Sequence, residues 1–232
     1  MSLEPFSQLL DATRADFESQ ILGHPLLAAL AAGQLRRDHY ALFLRETFHL
    51  VRHTSRALAT AAARLDDEHR GLRGWLLEQA HEEHGHELFC LKDLQRLGLD
   101  AERIVQRAPG PGVWGMVTQN YFLATHARPG AILGVAAATE GMGVELAGRM
   151  ADVVSARLGI PDTATTFLRS HASFDRRHFE EARRAVNEYA AAPEVLDEVI
   201  RARRYTFRYY GALYDDVLRS VERFFDDHQR AA

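Results

Sequence analysis

The chain has 232 residues, 47% of them hydrophobic, and a formal charge of −4 with histidine counted neutral; this allows one sizeable hydrophobic core and offers no basic patch for nucleic acid. The single cysteine, Cys90, excludes an internal disulfide and fits a reducing cytoplasm. The N-terminus lacks the basic, apolar, small-residue order of a secretory signal. No apolar run approaches the roughly 20 residues of a membrane span, so a cytoplasmic protein is expected.

Ala, Leu, Arg and Glu dominate, and strand-like alternation is missing, so the pattern predicts helix almost throughout. A first helix runs from about Pro5 to Leu22, and His24-Pro25 starts a short helix that ends before Gly33. A long helix follows from about Arg37 to Leu65, with Tyr40, Phe43, Leu44, Phe48, Val51, Leu58 and Ala62 at helical spacing. A third is predicted from about Glu68 to Leu97, and Ala108-Pro-Gly-Pro-Gly112 is the clearest loop. Further helices cover about Val113 to His126, Ala131 to Leu158 and Thr163 to Ala190. The last starts at Pro193, a favourable first-turn residue, and reaches about His228. No linker and no internal repeat divides the chain. The prediction is a single all-α domain over residues 1–232, a bundle of about seven helices.

The most informative stretch is His171-Ala-Ser-Phe-Asp175-Arg-Arg-His178. On a helix, Asp175 and His178 lie roughly 40° and 20° from His171 around the axis, so two imidazoles and a carboxylate share one stripe. That stripe is half of a metal site. The predicted third helix carries Gln79-Ala-His81-Glu82-Glu83-His84-Gly85-His86. Gln79, Glu82 and Glu83 fall within about 60° of His86, and His81 and His84 point away. Glu83-x-x-His86 is therefore a candidate carboxylate–imidazole pair, with Glu82 as its competitor. Glu140 stands alone among Ala, Thr, Gly and Met, and a carboxylate in such a setting is expensive to bury unless paired or metal-bound. The set is Glu83, His86, Glu140, His171, Asp175 and His178. Three carboxylates neutralise most of the charge of two divalent irons, and the histidines can bind while neutral.

This order, Glu-x2-His, then an isolated helical Glu, then His-x3-Asp-x2-His, resembles the heme-oxygenase-like dimetal oxidases, often called iron-containing redox enzymes. The N-terminal half, through His24-Pro25-Leu26, Gly33-Gln34-Leu35 and Phe43-Leu44-Arg45-Glu46-Thr47-Phe48, resembles the wider superfamily of TenA thiaminases and PqqC-type oxidases. The resemblance implies a seven-helix heme-oxygenase-like fold with two irons per chain. It implies one metal on Glu83, His86 and His171 and the other on Glu140, Asp175 and His178. It also implies an O2-dependent oxidase or oxygenase of a small molecule. Outcomes in the family include N-oxygenation of amines, C–C cleavage of amino acids and decarboxylation of fatty acids, so an amine or amino-acid derivative is the expected substrate. Manganese suits the same donors, and a homodimer is expected. Some members take the first carboxylate seven residues before the histidine, where this chain has Gln79. TenA enzymes need an active cysteine and an acidic residue where Thr47 stands near, which argues against a thiaminase.

Competing readings concern the same residues. On its own, the His171 to His178 run reads as a solvated helix face with local hydrogen bonds. Glu46-x2-His49-x3-His53 is a second one-sided set that can bind metal, serve as supporting contacts, or pair at the surface with Arg45 and Arg52. Cys90 reads as a buried inert thiol, and His24 as a loop-to-helix junction residue. The aromatic group Tyr205, Phe207, Tyr209, Tyr210 and Tyr214 reads as core or dimer contact, with some members lining a pocket beside Arg201, Arg204 or Arg208. A cofactor-independent PqqC-like oxidase and a non-catalytic metal- or ligand-binding protein are the alternative functions.

Overall fold

The computed structural model describes the backbone of residues 3–229, and the side chains of that span except Phe174, Asp175 and residues 221–229. Twelve helical segments follow in order: α1 Pro5–Phe17, α2 Pro25–Ala31, α3 Arg37–Val51, α4 Thr54–Ala63, α5 Arg70–Glu82, α6 Glu87–Arg96, α7 Ala101–Val105, α8 Pro111–Thr125, α9 Leu133–Met142, α10 Gly148–Leu158, α11 Thr166–Tyr189 and α12 Pro193–Gln229. No strand occurs among the described residues. The starts obey local chemistry. Proline opens α1, α2, α8 and α12, where its missing N–H is no loss, and His24 Nδ1 caps α2 by accepting from Leu26 N at 3.1 Å. Gly159, at φ 64°, ends α10.

Two predicted helices are broken, and two others carry π-helical turns. The long second helix breaks at Arg52 and His53 into α3 and α4. The third breaks after Glu82, and Gly85 at φ 90° turns the chain before α6 starts at Glu87. Only glycine takes that conformation at no steric cost. The first ends in a π-helical turn, Glu18–Leu22, and the fifth carries one, Gly143–Ala147, between α9 and α10. Short α7 falls where no helix was predicted.

The 37-residue α12 is the post of the bundle. It packs on α1, α3, α8 and α9. Small residues allow the closest approaches. A Cβ on Gly134 of α9 would lie 2.1 Å from Val199 O, and one on Gly112 of α8 would lie 2.3 Å from Leu213 N. The apolar core forms two clusters. One is built around α3, α6 and α10 with Phe207 and Leu213. The other is built around α4, α5 and α9 with Val186 and Val199. A cavity lies between them, its wall drawing Phe43 and Met116 from the first and Leu58 and Ile132 from the second.

Candidate metal centre

The break between α5 and α6 creates one wall of the site. Glu83 caps the end of α5 and His86 the start of α6, so the pair spans a turn instead of a helical face. His86 Nδ1 lies 3.4 Å from Glu83 Oε2, and both side chains are largely buried. The same turn separates the two glutamates that a continuous helix would have kept on one side. Glu83 stays with His86, whereas Glu82 lies 3.0 Å from His178 Nε2.

The second wall comes from α11, which Asp93 of α6 anchors. The Asp93 carboxylate is fully buried and accepts from Thr166 N at 3.0 Å, Thr166 Oγ1 at 2.6 Å and Phe167 N at 2.9 Å. One side chain thus caps α11 and ties its start to α6. One turn on, His171 Nδ1 lies 2.8 Å from Phe167 O. A carbonyl only accepts, so Nδ1 carries the hydrogen and Nε2 holds the lone pair in the neutral ring. Burial lowers the pKa of His171 and favours that neutral ring. Its ring centroid is 5.2 Å from that of His86. The side chain of Asp175, which the sequence placed in this set, lies outside the described residues.

Glu140 of α9 closes the site. Its Oε2 is 3.5 Å from His178 Nδ1, and ligand atoms of Glu83, Glu140 and His178 all lie within 4.8 Å of one another. Burial raises the Glu140 pKa, and the negative charge of Glu83 raises it further. The hydrogen bond with Glu140 holds His178 up. That bond does not pull Glu140 down in return, because burial and the Glu83 charge outweigh it. At Glu83 burial also pushes upward, but His86, His171 and His178 prevail and the carboxyl ends below its usual value. His86 is raised by its hydrogen bond to Glu83. Two buried carboxylates therefore face each other with three imidazoles around them. Carboxylate oxygens and imidazole nitrogens crowded this closely are the donor types that suit a divalent cation. The fit rests on the donor set alone.

A polar frame stands behind His178. Arg177 lies 2.9 Å from Glu82 Oε1, 3.1 Å from Glu181 Oε1 and 2.9 Å from His178 Nε2. Gln79 donates to Glu181 Oε2 at 3.1 Å and sits in the cavity wall. Glu82, His178 and Glu181 make a second close group of donors, with the Arg177 guanidinium against it. Helical spacing alone does not show this frame, because it depends on how α5 and α11 cross.

The rival set is dispersed into structural duties. Glu46 is fully buried, paired with Arg45, and accepts from Gly110 N at 2.8 Å. Burial lowers the pKa of His49 to about 4. His53 Nδ1 meets the Tyr121 hydroxyl at 3.1 Å. Cys90 is fully buried, its thiol is pushed up by burial, and it is not part of the cavity wall. On α12 only Tyr210 and Tyr214 of the aromatic group reach the cavity. Arg201, Arg204 and Arg208 are exposed, which corrects the expectation that one of them stands beside a substrate. The buried member of that basic run is Arg203, which donates to Thr13 Oγ1 and lies over the Phe207 ring at 4.9 Å.

The cavity has a volume of about 130 Å³. Glu83, Glu140 and His171 belong to its wall, so the donor cluster opens directly onto it.

Residues 41–211 match the family model described as iron-containing redox enzyme, so the chain belongs to that family, an oxidoreductase family that acts with iron. No curated protein is significantly similar in sequence. Among solved structures, a domain of unknown function with a heme oxygenase-like fold from Shewanella denitrificans superposes with a TM-score of 0.86 at 21% identity, covering 96% of each chain. A TenA homologue from P. horikoshii gives 0.77 at 16% identity, covering 94% of this chain and 99% of the other. A TenA homologue from Pseudomonas syringae pv. tomato gives 0.73 at 12% identity, covering 91% of each. These likenesses establish the heme-oxygenase-like fold.

Proposed function

We propose that the chain is an O2-dependent non-haem diiron oxidase or oxygenase of a small metabolite. The observation that carries this reading is the buried convergence of Glu83, Glu140 and His178, with His86 and His171 beside them, at the wall of an apolar cavity. Glu83, His86 and His171 would hold one iron, and Glu140, Asp175 and His178 the other, as the family resemblance implies. Bound iron would supply the redox chemistry toward dioxygen that no side chain here offers.

The chain's own residues supply position and seclusion. The Phe167 carbonyl fixes which nitrogen of His171 is bare, and Glu82 and Arg177 both stand at His178 Nε2 while Nδ1 faces Glu140. The apolar wall excludes water from the reacting face. A thiaminase finds no support, because Cys90 lies away from the cavity wall and its burial disfavours the thiolate.

The test is anaerobic titration of the metal-free protein with Fe(II), followed by an oxygen pulse read by stopped-flow absorption and Mössbauer spectroscopy. Two irons per chain and a transient visible band are expected. No specific uptake, or unchanged uptake in His171→Ala and Asp175→Ala, overturns the proposal.

A further inference from the structure

The cavity wall is chemically lopsided. Phe43, Leu50, Leu58, Met116, Ile132 and Leu146 typify it. Its charged members are the carboxylates Glu83 and Glu140, and no lysine or arginine is among the lining residues. Arg203, the only buried arginine among the described residues, points instead toward Thr13 of α1. Away from the metal donors, then, the wall offers no cation to a carboxylate or phosphate. An anionic head placed there would lose its hydration without compensation.

Two polar side chains in this wall, Asn120 and Trp75, each bury an atom without a hydrogen-bond partner among the described residues. Asn120 of α8 follows Met116 by one turn, on the buried stripe that also holds Val113 and Ala124. It is 5% exposed, and its Oδ1 is sealed from water without a hydrogen-bond partner among the described residues. A buried amide left unsatisfied costs about 1–3 kcal/mol. A hydrophobic residue of similar volume would fill the position at no such cost. The amide also has no bond holding it in one orientation, and rotation about its last torsion is a shallow two-fold process. It can therefore turn Oδ1 toward the cavity as an acceptor. Trp75 Nε1, in the same wall, is a second buried polar atom without a partner.

We propose that the cavity takes an apolar molecule whose uncharged head, a hydroxyl, donates a hydrogen bond to Asn120 Oδ1. Asn120 is thereby a specificity-determining residue, and free amino acids and other carboxylates are disfavoured away from the metal end. The inference rests on the cavity being the substrate chamber of the proposed oxidoreductase, but it concerns ligand class and not iron.

The experiment uses the metal-free protein, so that a carboxylate cannot anchor on metal. Octan-1-ol, octanoate and 1-bromooctane are titrated by calorimetry, with Trp75 fluorescence followed in a Trp114→Phe background. Octan-1-ol is expected to bind at least tenfold more tightly than octanoate. Asn120→Leu should weaken octan-1-ol about tenfold, the weight of one hydrogen bond, and leave 1-bromooctane unchanged. If Asn120→Leu loses 1-bromooctane as well, the wall has moved, and Asn120→Ala replaces it under the same criterion. Octanoate binding as tightly as octan-1-ol, or octan-1-ol affinity untouched by either substitution, overturns the proposal. Failure here with two irons still bound removes only the ligand class, whereas lost iron uptake with octan-1-ol bound removes only the diiron reading.

Discussion

Asp93→Ala should be among the most damaging single substitutions outside the donor set, because one carboxylate holds two helices together. It accepts three hydrogen bonds from Thr166 and Phe167 and is completely buried. Truncation removes the cap of α11 and leaves its two backbone N–H groups without acceptors, at about 1–3 kcal/mol each. Part of this is returned, since burial raises the Asp93 pKa and the ionised carboxylate is therefore held at a cost. The net loss expected is about 3 kcal/mol, or about 6–12 °C in Tm for a chain of this size. Asp93→Asn keeps one acceptor and should lose about half as much. The sign with pH follows from the raised pKa. The carboxyl's contribution is complete below its unfolded pKa and declines as pH rises through its folded one, so the Ala deficit is smaller at pH 7 than at pH 4. Urea denaturation at both pH values measures it. A loss below about 0.5 kcal/mol at either pH, or a deficit that grows with pH, refutes the reasoning.

Glu82→Ala removes the carboxylate 3.0 Å from His178 Nε2 and should weaken metal binding about 10–100-fold while the stoichiometry stays the same; Co(II) titration checks this, and unchanged affinity contradicts it. His49, buried and lowered to about 4, stays neutral in the fold while the unfolded chain takes up a proton near pH 6.5. Its share of stability is full above that pH and falls by about 2 kcal/mol by pH 5, so denaturation of His49→Leu should show a correspondingly flatter slope between pH 7 and 5. Gly134→Ala forces a methyl to within 2.1 Å of Val199 O and should cost about 2–3 kcal/mol or more by parting α9 from α12. Gly74→Ala on α5, with nothing within 4 Å, should instead gain about 0.5–1 kcal/mol, and equal thermal shifts for the two would contradict this packing account.

How far the site could be read in advance depends on the range of the interactions involved. The His171 to His178 stripe is a property of one helix, so its period was visible, and α11 runs unbroken through it. The Glu83–His86 pair was also legible, but for a reason that did not survive. A helical wheel placed Glu82 and Glu83 together beside His86, whereas the Gly85 turn sends Glu83 to His86 and leaves Glu82 for His178. The basic run on α12 reads as three equivalent arginines, Arg201, Arg203 and Arg204, until the fold buries Arg203 and keeps the other two exposed. Asn120 carries no sequence signal, because an asparagine on an amphipathic helix is ordinary and only the surrounding wall makes it unsatisfied.

The sequence by itself determined the helical class, the order of the donors along the chain and the period that aligns those on α11. These follow from residues a few positions apart, where backbone geometry dictates who shares a face. Only the tertiary structure decided which carboxylate meets which imidazole, which arginine is buried and what the cavity lacks. Those outcomes depend on crossings between helices distant in sequence, set by close glycine contacts such as Gly134 against Val199 and by an interhelical cap at Asp93, which no local period records.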